Sequence, residues 1–390
     1  MENFVFHAPT QIYFGKGEIE NLPNILKKYG KNVLLAYGGG SIKKNGIYDK
    51  VCELLKDFKI SELEGIEPNP RVGTVRRGIE ICRENNIDVI LAVGGGSTID
   101  CTKLIGAGCY YNNDPWDLIK EPSKMEDIPK VLPIVTVLTI SATGSEMNQT
   151  AVITNPETNE KLSARLKKMA PKASILDPEY TYTLPTIQTA AGTADIMSHV
   201  MENYFKSTKG AYLQDEISEG ILKTCIKYCP IALQNPRDYE ARSNLMWASS
   251  LALNGLCGRG KDSNIWSCHP MEHELSAFYD ITHGVGLAIL TPRWMRYILS
   301  EKTVDKFVDY AVNVWNFEKS DDKFVLANKA IDATEKFFAD CGIPMNLGKL
   351  GIDDSLLEKM SHAVIKHRSL ENAYVPLTEE DVLNIFKMCL

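Results

Sequence analysis

The residue types best suited to metal chemistry lie in the second half of the chain. Six of the seven histidines stand there, and the four at positions 199, 269, 273 and 283 are the candidates, whereas His362 and His367 are interpreted as incidental. In the stretch AAGTADIMSHVMENYF, Asp195 precedes His199 by four residues, so on a helix both would lie on one face and could bind one ion. Taken alone, such a pair is more often found on a helix surface than in a metal site. With His269 and His283, however, it would complete a shell of three imidazoles and one carboxylate, which suits Zn²⁺ or Fe²⁺.

The segment HPMEHELSAFYDITHG, residues 269–284, holds three of these histidines. It does not contain the zinc-protease motif H-E-x-x-H, because the glutamate does not follow the first histidine and HELSA lacks the second one. If one helix runs through the segment, His273 lies one turn beyond His269. Pro270 leaves that open, because the residue before a proline is disfavoured in helical geometry. In this segment His269 and His283 are the candidate metal ligands, and the placement of His273 stays open at this point.

Glycine-rich or hydroxyl-rich loops follow three of the predicted strands. Glycine lets a backbone approach a phosphate closely, and a helix N-terminus offers free N–H groups and partial positive charge. Neither Gly-Gly-Gly-Ser copy is the dinucleotide fingerprint G-x-G-x-x-G, and a tight turn alone would use the same residues. Loops at the carboxyl ends of neighbouring strands nevertheless favour a shared dinucleotide site. The candidate residues are Gly38, Gly39, Gly40 and Ser41 in the first loop, Gly94, Gly95, Gly96, Ser97 and Asp100 in the second, and Thr139, Thr143 and Asn148 in the third.

The first loop bears on the choice of nucleotide. NAD sites usually place an acidic residue on the adenosine ribose, whereas NADP sites avoid that charge. The loop has no acid at its tip, and Lys43 and Lys44 follow it. The sequence therefore favours NADP(H) over NAD(H).

Hydrophobic patterning predicts how these residues are positioned. Continuous apolar runs indicate strands covered on both faces, at 32–37, 88–93, 133–138 and 173–176. Helical patterns such as RVGTVRRGIEICRENN lie between them, which is typical of a parallel sheet with crossover helices. From about residue 187 only helical patterns remain. We predict an α/β domain over 1–186 and an all-helical domain over 187–390, which contains the candidate metal ligands.

Composition narrows the classes of protein. The 390 residues are 44% hydrophobic and 24% charged with a net charge of −7, which is typical of a folded chain and argues against nucleic-acid or anionic-membrane partners. The N-terminus does not resemble a signal peptide, and no apolar run is long enough to span a bilayer. Ten cysteines without framework spacing predict reduced thiols in a cytoplasmic protein. Cys225 and Cys229 could bind metal, but apolar packing is the more typical role of buried cysteine.

Two long motifs resemble the iron-containing, group III alcohol dehydrogenases, most closely their butanol dehydrogenase branch. The first motif runs through LDPEYTYTLPTIQTAAGTADIMSHVME, with matching positions Asp177, Pro185, Gly192, Asp195 and Glu202. The second is HPMEHELSAFYDITHG, with matching positions His269, Glu272, His273, Leu275, Ala277, His283 and Gly284. The loops GGGSTID and TISATGSEMN and the C-terminal segment NAYVPLTEEDVLNIF are also similar. The resemblance therefore spans essentially the whole chain.

The resemblance implies the fold, the ligands and the assembly. Its fold is a Rossmann-like domain followed by a helical domain, the dehydroquinate synthase-like architecture, usually assembled as a homodimer. The family's metal ligands correspond to Asp195, His199, His269 and His283, and its additional active-site histidine corresponds to His273. Its cofactor contacts correspond to the three loops and, in addition, to Asn69 and Lys161. The family contains both iron and zinc members and both NAD and NADP users.

The expected reaction is reversible reduction of a small aldehyde to a primary alcohol such as butanol. One alternative is a different reaction on the same architecture, such as a glycerol dehydrogenase, another polyol or lactaldehyde reductase, or dehydroquinate synthase. The last would need basic residues near the metal for its phosphate, and none cluster around the histidines. Another alternative, a non-catalytic nucleotide-binding protein, would not need the complete ligand set.

Overall fold

The computed structural model describes residues 1–390, which form two compact units. The α/β unit comprises His7–Leu184 and Pro236–Ser250, and the helical unit comprises Met1–Phe6, Pro185–Asn235 and Leu251–Leu390. The strands are β1 Gln11–Phe14, β2 Asn32–Tyr37, β3 Lys59–Leu63, β4 Val89–Gly94, β5 Ile134–Leu138, β6 Thr150–Asn155, β7 Glu160–Arg165 and β8 Ala173–Leu176. The helices are α1 Leu22–Leu26, α2 Ser41–Lys44, α3 Ile47–Leu54, α4 Val72–Glu84, α5 Gly96–Gly108, α6 Asp117–Lys120, α7 Pro122–Glu126, α8 Thr186–Tyr204, α9 Tyr212–Gln234, α10 Tyr239–Leu253, α11 Cys268–Tyr279, α12 His283–Ile298, α13 Val304–Asn313, α14 Lys323–Asp340, α15 Leu357–His367 and α16 Glu379–Met388.

The α/β unit is built on a six-stranded parallel sheet in the order β1-β8-β5-β4-β2-β3. Its interior strands are buried along their length because apolar side chains cover both faces. One core contains Leu34 and Ile90 with residues of α4 and α5, and the other contains Val33 and Leu91 with residues of α1 and α3. The predicted Rossmann-like parallel sheet is confirmed.

The four predicted strands correspond to β2, β4, β5 and β8. The sheet also contains β1 and β3, which lie at its two edges. Their sequences QIYF and KISEL mix polar and apolar residues because neither strand is covered along its whole length. A separate antiparallel hairpin, β6–β7, follows the third loop.

Because β2, β4 and β5 are adjacent in the sheet, the three loops that follow them leave the same edge. In parallel sheets this carboxyl-end edge is where nucleotide ligands bind. The topology therefore places the three loops at one edge of the sheet, and their role in cofactor binding stays a prediction.

In the helical unit α8 is packed against α9 and α12, and α11 is packed against α12 and α15. Nearly every residue of α8 from Thr189 to Tyr204 is buried, so this part of the helix has no face exposed to solvent. This central position explains how Asp195 and His199 become buried. No helix has both the length and the apolar character needed to span a bilayer.

The residues of α10 up to Ser250 belong to the α/β unit, although the chain reaches them after α8 and α9. Ser250 Oγ donates a hydrogen bond to Glu146 Oε1 at 2.5 Å, and the Trp247 ring lies 5.9 Å from that of Phe14. The predicted boundary between two domains after residue 186 stays a prediction.

Candidate active site

Three helices bring the candidate metal ligands together in the helical unit. Asp195 and His199 lie one turn apart on α8, His269 is in the first turn of α11, and His283 is the first residue of α12. Asp195 Oδ1 lies 3.4 Å from His199 Nδ1, 3.9 Å from His269 Nε2 and 3.7 Å from His283 Nε2. One carboxylate oxygen therefore faces three imidazole nitrogens.

The chemistry of these atoms fits a divalent cation. Asp195 Oδ1, His199 Nδ1 and His269 Nε2 are buried and make no hydrogen bond. Buried polar atoms are normally hydrogen-bonded, so three unpaired atoms that face one another require an explanation. Ligand atoms about 2.0–2.2 Å from one tetrahedral zinc ion lie roughly 3.4 Å apart. The separations of 3.4–3.9 Å are close to this value.

Electrostatics favours a charged carboxylate at Asp195 beside a neutral imidazole at His199. Burial alone would raise the pKa of Asp195, but the three histidines outweigh it and hold the pKa below its usual range. Burial lowers the pKa of His199 to about 3, so the ring is neutral at pH 7. Burial also opposes the charged form of His269, but the neighbouring carboxylates of Asp195 and Glu202 raise its pKa to about 9. A bound cation would displace that proton.

Two further carboxylates orient the rings from behind. Glu202 Oε2 accepts a hydrogen bond from His269 Nδ1 at 2.5 Å, and Glu272 Oε2 accepts one from His283 Nδ1. Each bond directs the opposite nitrogen, Nε2, toward Asp195. Carboxylates in this position commonly fix the tautomer of a metal-binding histidine.

Glu202 has a second role at the start of α11. Its carboxylate also accepts hydrogen bonds from the backbone N–H groups of Ser267, Cys268 and His269, at 2.5, 2.6 and 3.2 Å. The first N–H groups of a helix lack partners within the helix, so Glu202 caps α11 from α8. From the sequence, Glu202 and Glu272 are recognised only as motif positions, and their role in orienting the histidine rings is not predicted. Their spacing, three residues after a candidate ligand, was the available signal for their role.

The uncertainty over Pro270 is resolved by where α11 begins. The helix starts at Cys268, so Pro270 stands in the first turn, where no N–H is needed for an intrahelical bond. His273 follows one turn later and is half-buried. Its ring centroid lies 6.4 Å from that of His269 and 5.7 Å from that of His283. His273 therefore lies beside the rings of His269 and His283.

Two residues shape the immediate surroundings. Trp266 is half-buried, and its ring lies 4.8 Å from His269 and 5.8 Å from His199. Gly284 allows α12 to approach α8, because a Cβ at this position would lie 1.9 Å from the carbonyl oxygen of Ala191. This close approach explains a glycine directly after a candidate ligand.

In the α/β unit the second and third loops are in direct contact. Helix α5 begins at Gly96, and a Cβ there would lie 2.3 Å from Thr143 Oγ1. A Cβ on Gly95 would lie 2.3 Å from Ile140. The glycines therefore allow tight packing between the loops as well as an open helix N-terminus.

The first loop is more open. A Cβ on Gly39 would have no atom within 4 Å, and Gly40 adopts φ +92°, a conformation that favours glycine. An acidic residue, Glu64, lies beside this loop, although none stands in the loop itself. Glu64 follows β3 and accepts hydrogen bonds from Lys43 Nζ and Tyr37 Oη at 3.2 Å each. The sequence favoured NADP(H) because no acid stands at the tip of the first loop. Glu64 comes to this loop from the end of β3, a strand that was not predicted from the sequence.

Several predicted cofactor residues bond to the protein itself. Asp100 accepts hydrogen bonds from Ser145 Oγ at 2.5 Å and from the Val152 N–H at 2.9 Å. Asn148 Oδ1 accepts from the Thr150 N–H and from Lys103 Nζ, both at 2.9 Å. Asp100 and Asn148 therefore connect the two loops.

Asn69 and Lys161 are also brought together, since Lys161 Nζ donates to Asn69 Oδ1 at 2.9 Å in a buried position. Lys103 was not predicted from the sequence as part of this region. A lysine one turn after Asp100, in an otherwise apolar helix, was the available signal.

Both halves of the chain match models of one protein family. Residues 9–178 match the family described as iron-containing alcohol dehydrogenase, and residues 189–390 match the C-terminal domain of the same family. The chain belongs to the iron-containing alcohol dehydrogenase family. The resemblance inferred from the motifs is confirmed.

Relatives of this dehydrogenase align over its full length. NADH-dependent butanol dehydrogenase A of Clostridium acetobutylicum is 57% identical over 390 residues, covering 99% of each chain. The NADPH-dependent aldehyde reductase YqhD of Escherichia coli is 40% identical over 370 residues, covering 94% of each chain. The crystal structure of NADH-dependent butanol dehydrogenase A from Thermotoga maritima matches with a TM-score of 0.94 at 41% identity, covering 100% of this chain and 99% of that chain.

Membership confirms the predicted enzyme class and the two-domain fold. The protein is an oxidoreductase that interconverts alcohols and aldehydes. The family implies a divalent metal and a nicotinamide cofactor, and the donor atoms around Asp195 fit such an ion.

Proposed function

We propose that this dehydrogenase reduces short unbranched aldehydes such as butanal to primary alcohols and catalyses the reverse oxidation. The observation that carries the proposal is the meeting of Asp195 Oδ1 with three imidazole nitrogens, most of them without hydrogen bonds. The relatives at 57% identity, both butanol dehydrogenases, support the substrate class.

Asp195, His199, His269 and His283 would hold one Fe²⁺ or Zn²⁺ ion. Such an ion supplies Lewis acidity, which polarises a carbonyl and lowers the pKa of an alcohol. The carboxylate of Asp195 offsets part of the charge of the ion. A neutral His199 needs no deprotonation before it binds.

His273 is proposed to exchange the proton with the substrate oxygen. It lies one helical turn from His269, its ring is 5.7 Å from that of His283, and it is only half-buried. An imidazole can give and take a proton near neutral pH, which suits a reaction that runs in both directions.

The nucleotide is proposed to bind at the edge where β2, β4 and β5 end. A nicotinamide cofactor supplies the hydride for reduction and accepts it for oxidation. The N-terminus of α5 offers N–H groups to the phosphates. The proposed contacts and loop-fixing residues are Gly38, Gly39, Gly40, Ser41, Asn69, Gly94, Gly95, Gly96, Ser97, Asp100, Thr139, Thr143, Asn148 and Lys161.

For the nucleotide we propose NAD(H) rather than the NADP(H) favoured by the sequence alone. Lys43 would be the cation nearest to a 2′-phosphate at the first loop, but Glu64 already pairs with it at 3.2 Å. A carboxylate at that place suits a ribose hydroxyl and repels a phosphate. Both relatives at 57% identity are NADH-dependent by name, which supports this choice.

The assembly is proposed to be a homodimer. Strand β1 is an edge of the sheet and offers unpaired backbone groups to another chain. Phe14 on this strand and Trp247 beside it are 37% and 40% exposed. Light scattering of the purified protein should give twice the mass of the chain, and a monomer at assay concentration would contradict this.

The test combines metal analysis with turnover. The purified protein should contain about one iron or zinc ion per chain and oxidise NADH faster with butanal than with lactaldehyde. In the reverse direction it should reduce NAD⁺ faster with butanol than with glycerol. Asp195→Asn should lose both metal and turnover. The control His362→Ala changes an exposed histidine bonded to Glu379 and should retain both. Full activity of metal-free protein would contradict the proposal, as would nucleotide binding without turnover on any aldehyde.

A further inference from the structure

A fully buried lysine lies behind the proposed nucleotide site. Lys103 is on α5, one turn after Asp100, and its side chain is 0% exposed. Burying an ammonium group is costly unless hydrogen bonds and opposite charges compensate it. The groups that compensate the buried charge of Lys103 therefore show which parts of the fold this residue holds together.

Lys103 connects α5 to the third loop and to the strand that follows it. Its Nζ donates to Ser145 Oγ at 2.8 Å, to Asn148 Oδ1 at 2.9 Å and to the Thr150 carbonyl at 2.8 Å. These bonds use all three N–H groups of the ammonium. Since no part of the side chain is exposed, Lys103 has no means of contacting a nucleotide directly.

Two carboxylates, the half-buried Asp100 and the fully buried Glu146, act on this one cation. Asp100 Oδ1 lies 4.0 Å from Lys103 Nζ and accepts a hydrogen bond from Ser145 Oγ at 2.5 Å. Glu146 is 0% exposed, and its Oε2 has no hydrogen-bond partner. Burial lowers the pKa of Lys103 to about 8, against the opposing effect of Asp100 and Glu146. Burial raises the pKa of both carboxyl groups.

We infer that Lys103 is a positioning residue for nucleotide binding, which fixes the third loop against the N-terminus of α5. The two loops already touch, since a Cβ on Gly96 would lie 2.3 Å from Thr143 Oγ1. A shift of the third loop would therefore disturb the N–H groups that the proposal assigns to the phosphates. The inference rests on the proposed nucleotide site but not on the metal site.

Lys103→Met tests the inference, with Thr102→Ala as the matched control. Thr102 is also 0% exposed on α5, and its hydroxyl bonds only to the Ile99 carbonyl within the helix. Lys103→Met should raise the KM and Kd for NADH on the order of tenfold, with little change in metal content or in the KM for butanal. Thr102→Ala should leave the Kd for NADH unchanged. Lys103→Met with lower thermal stability but unchanged Kd would overturn the inference, because the role would then be structural only.

Ser145→Ala provides a second variant if Lys103→Met does not fold. It removes the hydroxyl shared by Lys103 and Asp100 without leaving a buried charge unpaired. The same selective rise in the KM for NADH is expected. An unchanged KM would overturn the inference. Absence of NADH binding by the wild-type protein would instead contradict the proposed function.

The pH profile separates positioning from a general packing effect. For the wild type, kcat/KM for NADH should fall above about pH 8 as Lys103 loses its proton, since this ratio reports ionisations of the free enzyme. Lys103→Met should lose this fall, and Lys103→Arg should move it to higher pH. The charged groups that act on Lys103 are Asp100 and Glu146, and Lys161 in turn acts on Asp100. An identical fall in wild type and Lys103→Met would contradict the inference.

Discussion

Replacement of Glu202 by glutamine tests whether the carboxylate behind His269 sets metal affinity. Glu202 is 4% exposed and accepts four hydrogen bonds: the backbone N–H groups of Ser267 and Cys268 go to Oε1, and the backbone N–H and Nδ1 of His269 go to Oε2. Glutamine presents one carbonyl oxygen and one amide group that can only donate. Whichever way the amide is turned, two buried donors lose their acceptor.

The size of the effect follows from those two donors. Each buried donor left unpaired costs about 1–3 kcal/mol, so the substitution should lower the free energy of unfolding by roughly 2–6 kcal/mol. Domains are typically stable by about 5–15 kcal/mol, so the variant should still fold. Loss of the bond that orients His269 should weaken metal binding by about 10–100-fold.

The assay is metal retention against a chelator series, with turnover measured before and after addition of excess metal. Glu202→Gln should lose its ion at about 10–100-fold lower chelator concentration than wild type and recover turnover with excess metal. The control is Glu219→Gln, a carboxylate that is 3% exposed and bonds Tyr204 and Asn313 but no histidine. The reasoning is refuted if Glu202→Gln retains metal as well as wild type, or if Glu219→Gln loses it equally.

Three further predictions concern packing, proton transfer and nucleotide choice. Gly284→Ala should destabilise the protein by about 3 kcal/mol or more in urea unfolding, because the added Cβ would overlap the Ala191 carbonyl. The control Gly220→Ala, whose added Cβ would have no atom within 4 Å, should be neutral or stabilising. His273→Ala should lower kcat by about 10²–10⁴-fold with metal content unchanged, and loss of metal would instead make it a ligand. Glu64→Gln should increase kcat/KM for NADPH relative to NADH, and an unchanged ratio would contradict the proposed role of Glu64.

Local patterns were sufficient for the interior of the fold. Strands β2, β4, β5 and β8 were predicted because a strand buried on both faces must be apolar at every position, which is visible within six residues of sequence. Strands β1 and β3 were missed because edge strands keep polar residues, and the hairpin β6–β7 was missed for the same reason.

The candidate site shows the same division. Residue types and a spacing of four identified Asp195 and His199 as one face of a helix, and the family motifs implied the other two ligands. Only the packing of α8 against α12, and of α12 against α11, brings His269 and His283 within 4 Å of Asp195. The orienting role of Glu202 likewise depends on α8 lying beside the start of α11.

The sequence by itself therefore determined the family, the interior strands, the chemical types of the ligands and the loops that follow the strands. The tertiary structure decided which atoms meet: Glu64 with Lys43, Lys103 with the third loop, and Glu202 with His269. The physical reason is that burial and helical spacing act between residues close in the chain, whereas these pairs are separated by 21, 42 and 67 residues. Contacts across such distances depend on how whole elements pack.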